Sequence, residues 1–261
     1  MQARGLAFAS DFDGTLCESD WESGVEHITR ANIEAVHRFQ DSGGLFGICT
    51  GRPIYSVQKS LKGVIVPDFY IATTGAQVMG AEGVFLLERD LDRALANELC
   101  ERYGRLECAL VAISENEFAE IGGDTAPWFR SVETLSELEG RIFGVSLEFG
   151  SDEQAAERAA ADINERYAGV VEAFQNLGSV DIVREGCSKG AGVHVAKAGL
   201  GVRLIAGIGD SYNDLTLLRA ADVAYTFPTS PAVVREAADM VVSSVAEALE
   251  HFCAQATRPR V

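Results

Sequence analysis

Short apolar runs alternate with helically spaced apolar positions over the first seventy residues. Residues 5–10 read as a buried strand. A helix opens near Thr29, with Ile33, Val36, His37 and Phe39 spaced for one face, and it stops at Gly43-Gly44. A strand over 45–49, a helix beginning after Pro53 and a buried strand over 69–72 follow. This alternation predicts crossover units and a parallel sheet, with binding loops at the strands' carboxyl ends.

From about residue 78 the pattern changes. It predicts a strand at 84–87, a helix over 90–103 and hairpin-like segments within 107–121, broken at Ser114-Glu-Asn and Gly122-Gly123. Residues 141–149 alternate in part, as a half-buried antiparallel strand does. An alanine-rich helix at 152–167 precedes a hairpin of 170–175 and 179–183 around Asn176-Leu-Gly178. One-strand-one-helix alternation then resumes, with helices at 188–198, 213–221, 231–237 and 244–253 and strands at 203–207, 222–225 and 239–242. The expected fold class is α/β: a Rossmann-like, doubly wound parallel-sheet core over 1–80 and 182–261, interrupted by an inserted α+β domain over 81–181.

Composition narrows the function. Hydrophobic residues make up 47% and charged residues 23%, ordinary values for a soluble globular chain. No apolar run approaches the ~20 residues of a membrane span, and no secretory leader is evident, so a cytoplasmic protein is expected. The net charge of −17 argues against nucleic-acid and membrane-surface partners, since phosphates would be repelled over most of the surface. A small phosphorylated metabolite is still compatible, because a few cations can reverse the potential inside one cleft. Of the six cysteines none forms a C-x-x-C pair or a zinc-like cluster. Cys17, Cys49 and Cys187 flank polar motifs and are candidates for oxidation, or are small buried hydrophobes.

Four polar clusters sit at the ends of these elements. Asp11-Phe-Asp13-Gly-Thr-Leu16 follows the first strand; two acids at alternate positions suit attack on phosphorus by one and proton handling by the other, with Mg²⁺ neutralising their repulsion. Solvated acids at a turn are the alternative. Thr50-Gly51-Arg52 ends the second strand and offers a hydroxyl, close backbone approach and a guanidinium fork. Ser188 is a good helix cap, whereas Lys189 in a first helical turn opposes the dipole, which a carboxylate or phosphate partner would explain. Asp210 and Asp214 flank the next helix start, where they suit a cation site or a helix cap.

Together these motifs resemble the haloacid dehalogenase (HAD) superfamily, in its Mg²⁺-dependent phosphatase branch: DxDGTL at 11–16, TGR at 50–52, SKG at 188–190 and GDSYNDL at 209–215. The insert and the string Val180-Asp-Ile-Val-Arg-Glu-Gly-Cys-Ser-Lys189 are similar to the Cof-type sugar-phosphate phosphatases with an α+β cap. The resemblance implies Asp11 as nucleophile and Asp13 as general acid/base. It implies Mg²⁺ held by Asp11, Asp210 and the carbonyl of Asp13, with Asp214 as a direct or indirect support. Thr50, Gly51, Lys189 and Asn213 would bind phosphate, with Arg52 toward the substrate. Thr74-Gly-Ala76 departs from the subgroup's usual Asn-Gly-Ala, and 225–231 departs from its usual loop. Glu115, Asn116, Trp128 and Arg130 are candidates for the cap's inner surface. The expected activity is hydrolysis of small phosphate monoesters by a monomer or weak homodimer; a phosphomutase and a non-catalytic binding protein are the alternatives.

Overall fold

The N-terminal apolar run forms β1 (Leu6–Ser10), buried along its whole length as a central parallel strand must be. The computed structural model describes residues 3–20, 25–123 and 129–256. A short hairpin of β2 (Glu18–Asp20) and β3 (Val25–His27) leads to helix α1 (Arg30–Asp41), which starts where Thr29 Oγ1 accepts the Asn32 N–H. Its buried face carries Ala35, Val36 and Phe39. His37, expected on that face, is exposed and its ring meets the Val64 carbonyl, so the polar imidazole stays at the rim. Strand β4 (Leu45–Cys49), helix α2 (Ile54–Ser60) and strand β5 (Phe69–Ala72) follow as expected.

Two antiparallel strands, β6 (Gln77–Met79) and β7 (Phe85–Glu88), then extend the same sheet. The strand expected at 84–87 as part of the insert is therefore β7, an edge of the core sheet, with Gln77 opposite Glu88. A short apolar run carries no signal for which sheet it will join.

The inserted residues build a second sheet. In order come α3 (Arg93–Tyr103), β8 (Ala109–Ser114), β9 (Phe118–Ile121), β10 (Arg130–Val132), β11 (Ile142–Glu148), α4 (Glu153–Arg166), β12 (Val171–Asn176) and β13 (Ser179–Arg184). The strand order is β10-β9-β8-β11-β13-β12. Period-two alternation divides its faces. Val145, Leu147, Val180 and Ile182 pack with Leu99 and Ile163 of α3 and α4, whereas Ser146 and Asp181, opposite each other in register, lie on the other face.

The core resumes with α5 (Lys189–Leu200), β14 (Leu204–Ile208), α6 (Leu215–Ala220), β15 (Val223–Thr226), α7 (Ala232–Ala237), β16 (Met240–Val241) and α8 (Val245–Ala256). The eight-stranded order is β16-β15-β14-β1-β4-β5-β6-β7, parallel from β16 to β5. Phe8, Phe39, Phe46, Tyr225 and Phe252 cluster on one face, and Ala7, Ala9, Val193 and Leu217 on the other. Strand β1 lies between β4 and β14, so its carboxyl end opens where the strand order reverses, the usual ligand position in such sheets.

Candidate active site

Asp11 leaves β1 with its N–H still bonded to the Ile208 carbonyl of β14 at 2.9 Å. That bond fixes it beside the loop carrying Asp210. The turn that follows needs Gly14, which has φ 77°, and a Cβ there would stand 2.8 Å from Asp210 Oδ2. Thr15 Oγ1 donates to Asp210 Oδ1 at 2.5 Å. Asp214 lies under the β14 loop, where its Oδ2 accepts the N–H groups of Asp210 and Ser211 at 2.9 and 3.0 Å. A side chain at Gly209 would strike it, with Asp214 Cγ only 2.3 Å from a built Cβ. Carboxylate oxygens of Asp11, Asp210 and Asp214 fall within 4.8 Å of one another.

Lys189 reaches this trio from the first turn of α5, which Ser188 caps by accepting the Ala191 N–H at 3.0 Å. Its Nζ donates to Asp11 Oδ1 at 2.7 Å and Asp214 Oδ1 at 2.6 Å, and the side chain is 1% exposed. Burial pushes the Asp11 carboxyl well above the usual range; Asp214 and Asp210 add to this while Lys189 opposes it. Asp210 is pushed up to about 6, by burial first and Asp214 second. Burial pulls Lys189 down, but Asp11 and Asp214 outweigh it and hold the ammonium well above its ordinary value. One ammonium faces three carboxylates, and the surplus negative charge suits a divalent cation. An all-carboxylate donor set favours an oxygen-preferring ion such as Mg²⁺.

Thr50, at the end of β4, is buried and donates its N–H to the Ile71 carbonyl at 2.8 Å. Gly51 follows, and a Cβ on it would lie 2.8 Å from Asp181 Oδ2. Arg52, expected to lie toward the substrate, is turned inward. Its Nε and Nη2 donate to Asp13 at 2.8 and 2.5 Å, its Nη1 to Glu26 of β3 at 2.6 Å, and the guanidinium sits 4.9 Å from the Phe12 ring centroid. Burial lowers the Arg52 guanidinium, yet Asp13 and Glu26 outweigh it and raise it overall. The Asp13 carboxylate thus faces Arg52. Asn213, expected on phosphate, is buried with its side chain beside Asp181.

Two features were not anticipated. Thr73 and Thr74 both hold left-handed backbone, φ 47° and 50°, ahead of Gly75 at φ 86°. A Cβ on Gly75 would meet the Ser188 carbonyl at 2.0 Å, so this loop packs directly on the Lys189 helix cap. Asp181 is the second; its only signal was a polar residue interrupting an apolar strand eight positions before Lys189. Among the suggested cap residues, Glu115 pairs with Arg141 and Arg130 with Glu117, both at 2.8 Å, and Asn116 is exposed. Trp128 lies outside the described residues. Cys17, Cys49 and Cys187 are buried, and burial pushes the thiols of Cys49 and Cys187 up, the latter to about 11. Such buried thiols resist oxidation, so of the two readings for these positions the small buried hydrophobe holds.

A family model described as haloacid dehalogenase-like hydrolase matches residues 8–249. A curated relative, an HMP-PP phosphatase of Cronobacter sakazakii, is 23% identical over 224 residues, which cover 82% of this chain and 80% of that protein. Another HMP-PP phosphatase, of Citrobacter koseri, is 22% identical over 230 residues, covering 84% and 81%. Among solved structures, a haloacid dehalogenase-like hydrolase from B. subtilis superimposes with a TM-score of 0.80 at 15% identity, covering 97% of this chain and 99% of the other. A sugar phosphatase of HAD subclass IIB gives 0.76 at 20%, covering 95% and 98%. No helix among the described residues is long and apolar enough to cross a membrane.

Proposed function

The chain belongs to the haloacid dehalogenase-like hydrolases, and from that premise we propose a Mg²⁺-dependent phosphatase acting on small phosphate monoesters, sugar phosphates or related metabolites. The observation that carries this reading is Lys189 bridging Asp11 and Asp214 beside Asp210 at one sheet end. The names of the curated relatives support the phosphatase chemistry.

Asp11, Asp210 and Asp214 fit the cation, with Asp11 and Asp210 as the more available donors. Asp214 already receives Lys189 and two backbone N–H groups, so its part is to hold the loop and the ammonium. Bound there, Mg²⁺ would offset the negative charge of the phosphoryl group and of the carboxylates. Asp11 attacks phosphorus through a carboxylate oxygen as the bond to the leaving oxygen breaks. Asp13 protonates that oxygen, then takes a proton from the water that hydrolyses the resulting aspartyl-phosphate. To do so Asp13 must exchange its Arg52 partner for substrate, and Glu26 remains to hold the guanidinium. Thr50 and Lys189 bind the phosphoryl oxygens, Gly51 gives the backbone room to approach, and the insert covers the site.

A Mg²⁺-dependent phosphate-release screen over sugar phosphates, phosphoglycolate, nucleotides and pyridoxal phosphate tests the reading. Asp11→Asn should keep the fold and lower turnover at least about a thousandfold. Near-wild-type turnover by that variant would remove Asp11 as nucleophile.

A further inference from the structure

The open face of the inserted sheet carries one buried carboxylate that none of the proposed chemical steps uses. Asp181 lies in β13 opposite Ser146 of β11 and is 8% exposed. Its Oδ2 accepts the Thr74 hydroxyl at 3.0 Å and its Oδ1 faces the Ser146 hydroxyl at 3.4 Å, with the Asn213 side chain nearby. The same Oδ2 rests against Gly51. One side chain of the insert therefore touches the loops after β4 and β5 and stands beside the one after β14. These loops carry Thr50, the Thr73-Thr74-Gly75 turn and Asn213.

Each contact has a physical consequence. An ionised carboxylate only accepts hydrogen bonds, so it takes the Thr74 hydroxyl as a donor and fixes where that side chain points. Threonine is β-branched and disfavours left-handed backbone, so the Thr73-Thr74 turn needs restraint from outside. The core supplies part of that restraint: Thr73 and Thr74 donate their N–H groups to the carbonyls of Arg52 and Thr50, each at 3.0 Å. Asp181 holds the Thr74 side chain from the opposite direction. Burial pushes its carboxyl up, and the Thr74 bond and the Lys189 charge act against that rise. A desolvated carboxylate is tolerated where its donors are fixed, which makes this contact sensitive to small displacements.

We infer that Asp181 is a positioning residue: it holds the Thr74 turn against Thr50-Gly51-Arg52, so the insert shapes the phosphoryl pocket as well as covering it. The kinetic part of this inference rests on the phosphatase reading; the restraint itself does not.

The test compares full-length wild type, Asp181→Asn, Thr74→Val and the double variant by hydrogen–deuterium exchange and by turnover of p-nitrophenyl phosphate with Mg²⁺. Asp181→Asn keeps the shape and removes the charge, leaving only a weaker neutral acceptor for the Thr74 hydroxyl. The expected result is faster exchange confined to segment 73–76, with kcat about tenfold lower and KM changed less than about twofold. The double variant should be no worse than Thr74→Val, because both changes act on the same restraint. Unchanged exchange in Asp181→Asn would overturn the inference. So would a uniform rise across the insert with a lower melting temperature, or a local rise with kcat and KM untouched. If wild type releases no phosphate, the phosphatase reading fails, while the exchange pattern still decides whether Asp181 restrains the loops.

Discussion

Replacing Lys189 by Met probes the electrostatics of the site through stability. The substitution keeps an unbranched apolar stem and removes the ammonium. Asp11 and Asp214 then stay buried without their counter-charge, and Asp210 remains within reach of both. Removing one partner of a buried ion pair costs about 3–5 kcal/mol. For a chain of this size each kcal/mol lowers the melting temperature by about 2–4 °C, so a fall of roughly 6–20 °C is expected in a chelator near neutral pH. Low pH should narrow the difference. A carboxyl whose folded pKa lies above its unfolded value binds more protons when folded, so stability rises as pH falls through that interval. Asp11 and Asp210 are already shifted upward, and losing the ammonium shifts Asp11 further the same way. Millimolar Mg²⁺ should recover part of the loss. The assay is calorimetric or fluorescence-monitored melting between pH 5 and 8. A melting temperature within about 2 °C of wild type, with no pH or Mg²⁺ dependence, would refute Lys189 as the counter-charge.

Two further outcomes follow from backbone and burial. Thr74→Asn relieves a β-branched residue at φ 50° while keeping a donor for Asp181, so stability should rise by about 1 kcal/mol; a lower melting temperature would contradict the strain argument. Native protein should leave Cys17, Cys49 and Cys187 unmodified by Ellman's reagent, while the half-buried Cys108 and Cys253 react first; rapid labelling of Cys187 in folded protein, mapped by peptide mass, would refute its burial.

The motifs at the ends of β1, β4 and β14 were legible because each joins a buried apolar run to polar residues whose types state their chemistry. Asp11 and Asp210 follow such runs, and Lys189 stood out through its poor fit to a helix N-terminus. The direction of Arg52 was not legible, since its target includes Glu26, brought near by the β2–β3 hairpin. Strands of three residues, β6 and β10 among them, are too short for a periodic signal. The membership of β7 was lost for a related reason: its neighbour β6 was itself invisible. Asp181 was hidden differently, as a polar residue in an alternating strand that reads as solvent-facing until another domain covers that face.

The position of β1 between β4 and β14 has a consequence for synthesis. Asp11 and Lys189 are separated by 178 residues, and one flank of β1 stays unpaired until β14 has been made. The inserted residues, by contrast, are contiguous and enclose their own apolar cluster. As the chain emerges from a ribosome, the insert can bury that cluster while the N-terminal strands still wait for a partner. During that interval the chain presents an open apolar edge at β1. The last third of the chain both completes the candidate pocket and shields the strand on which it is built.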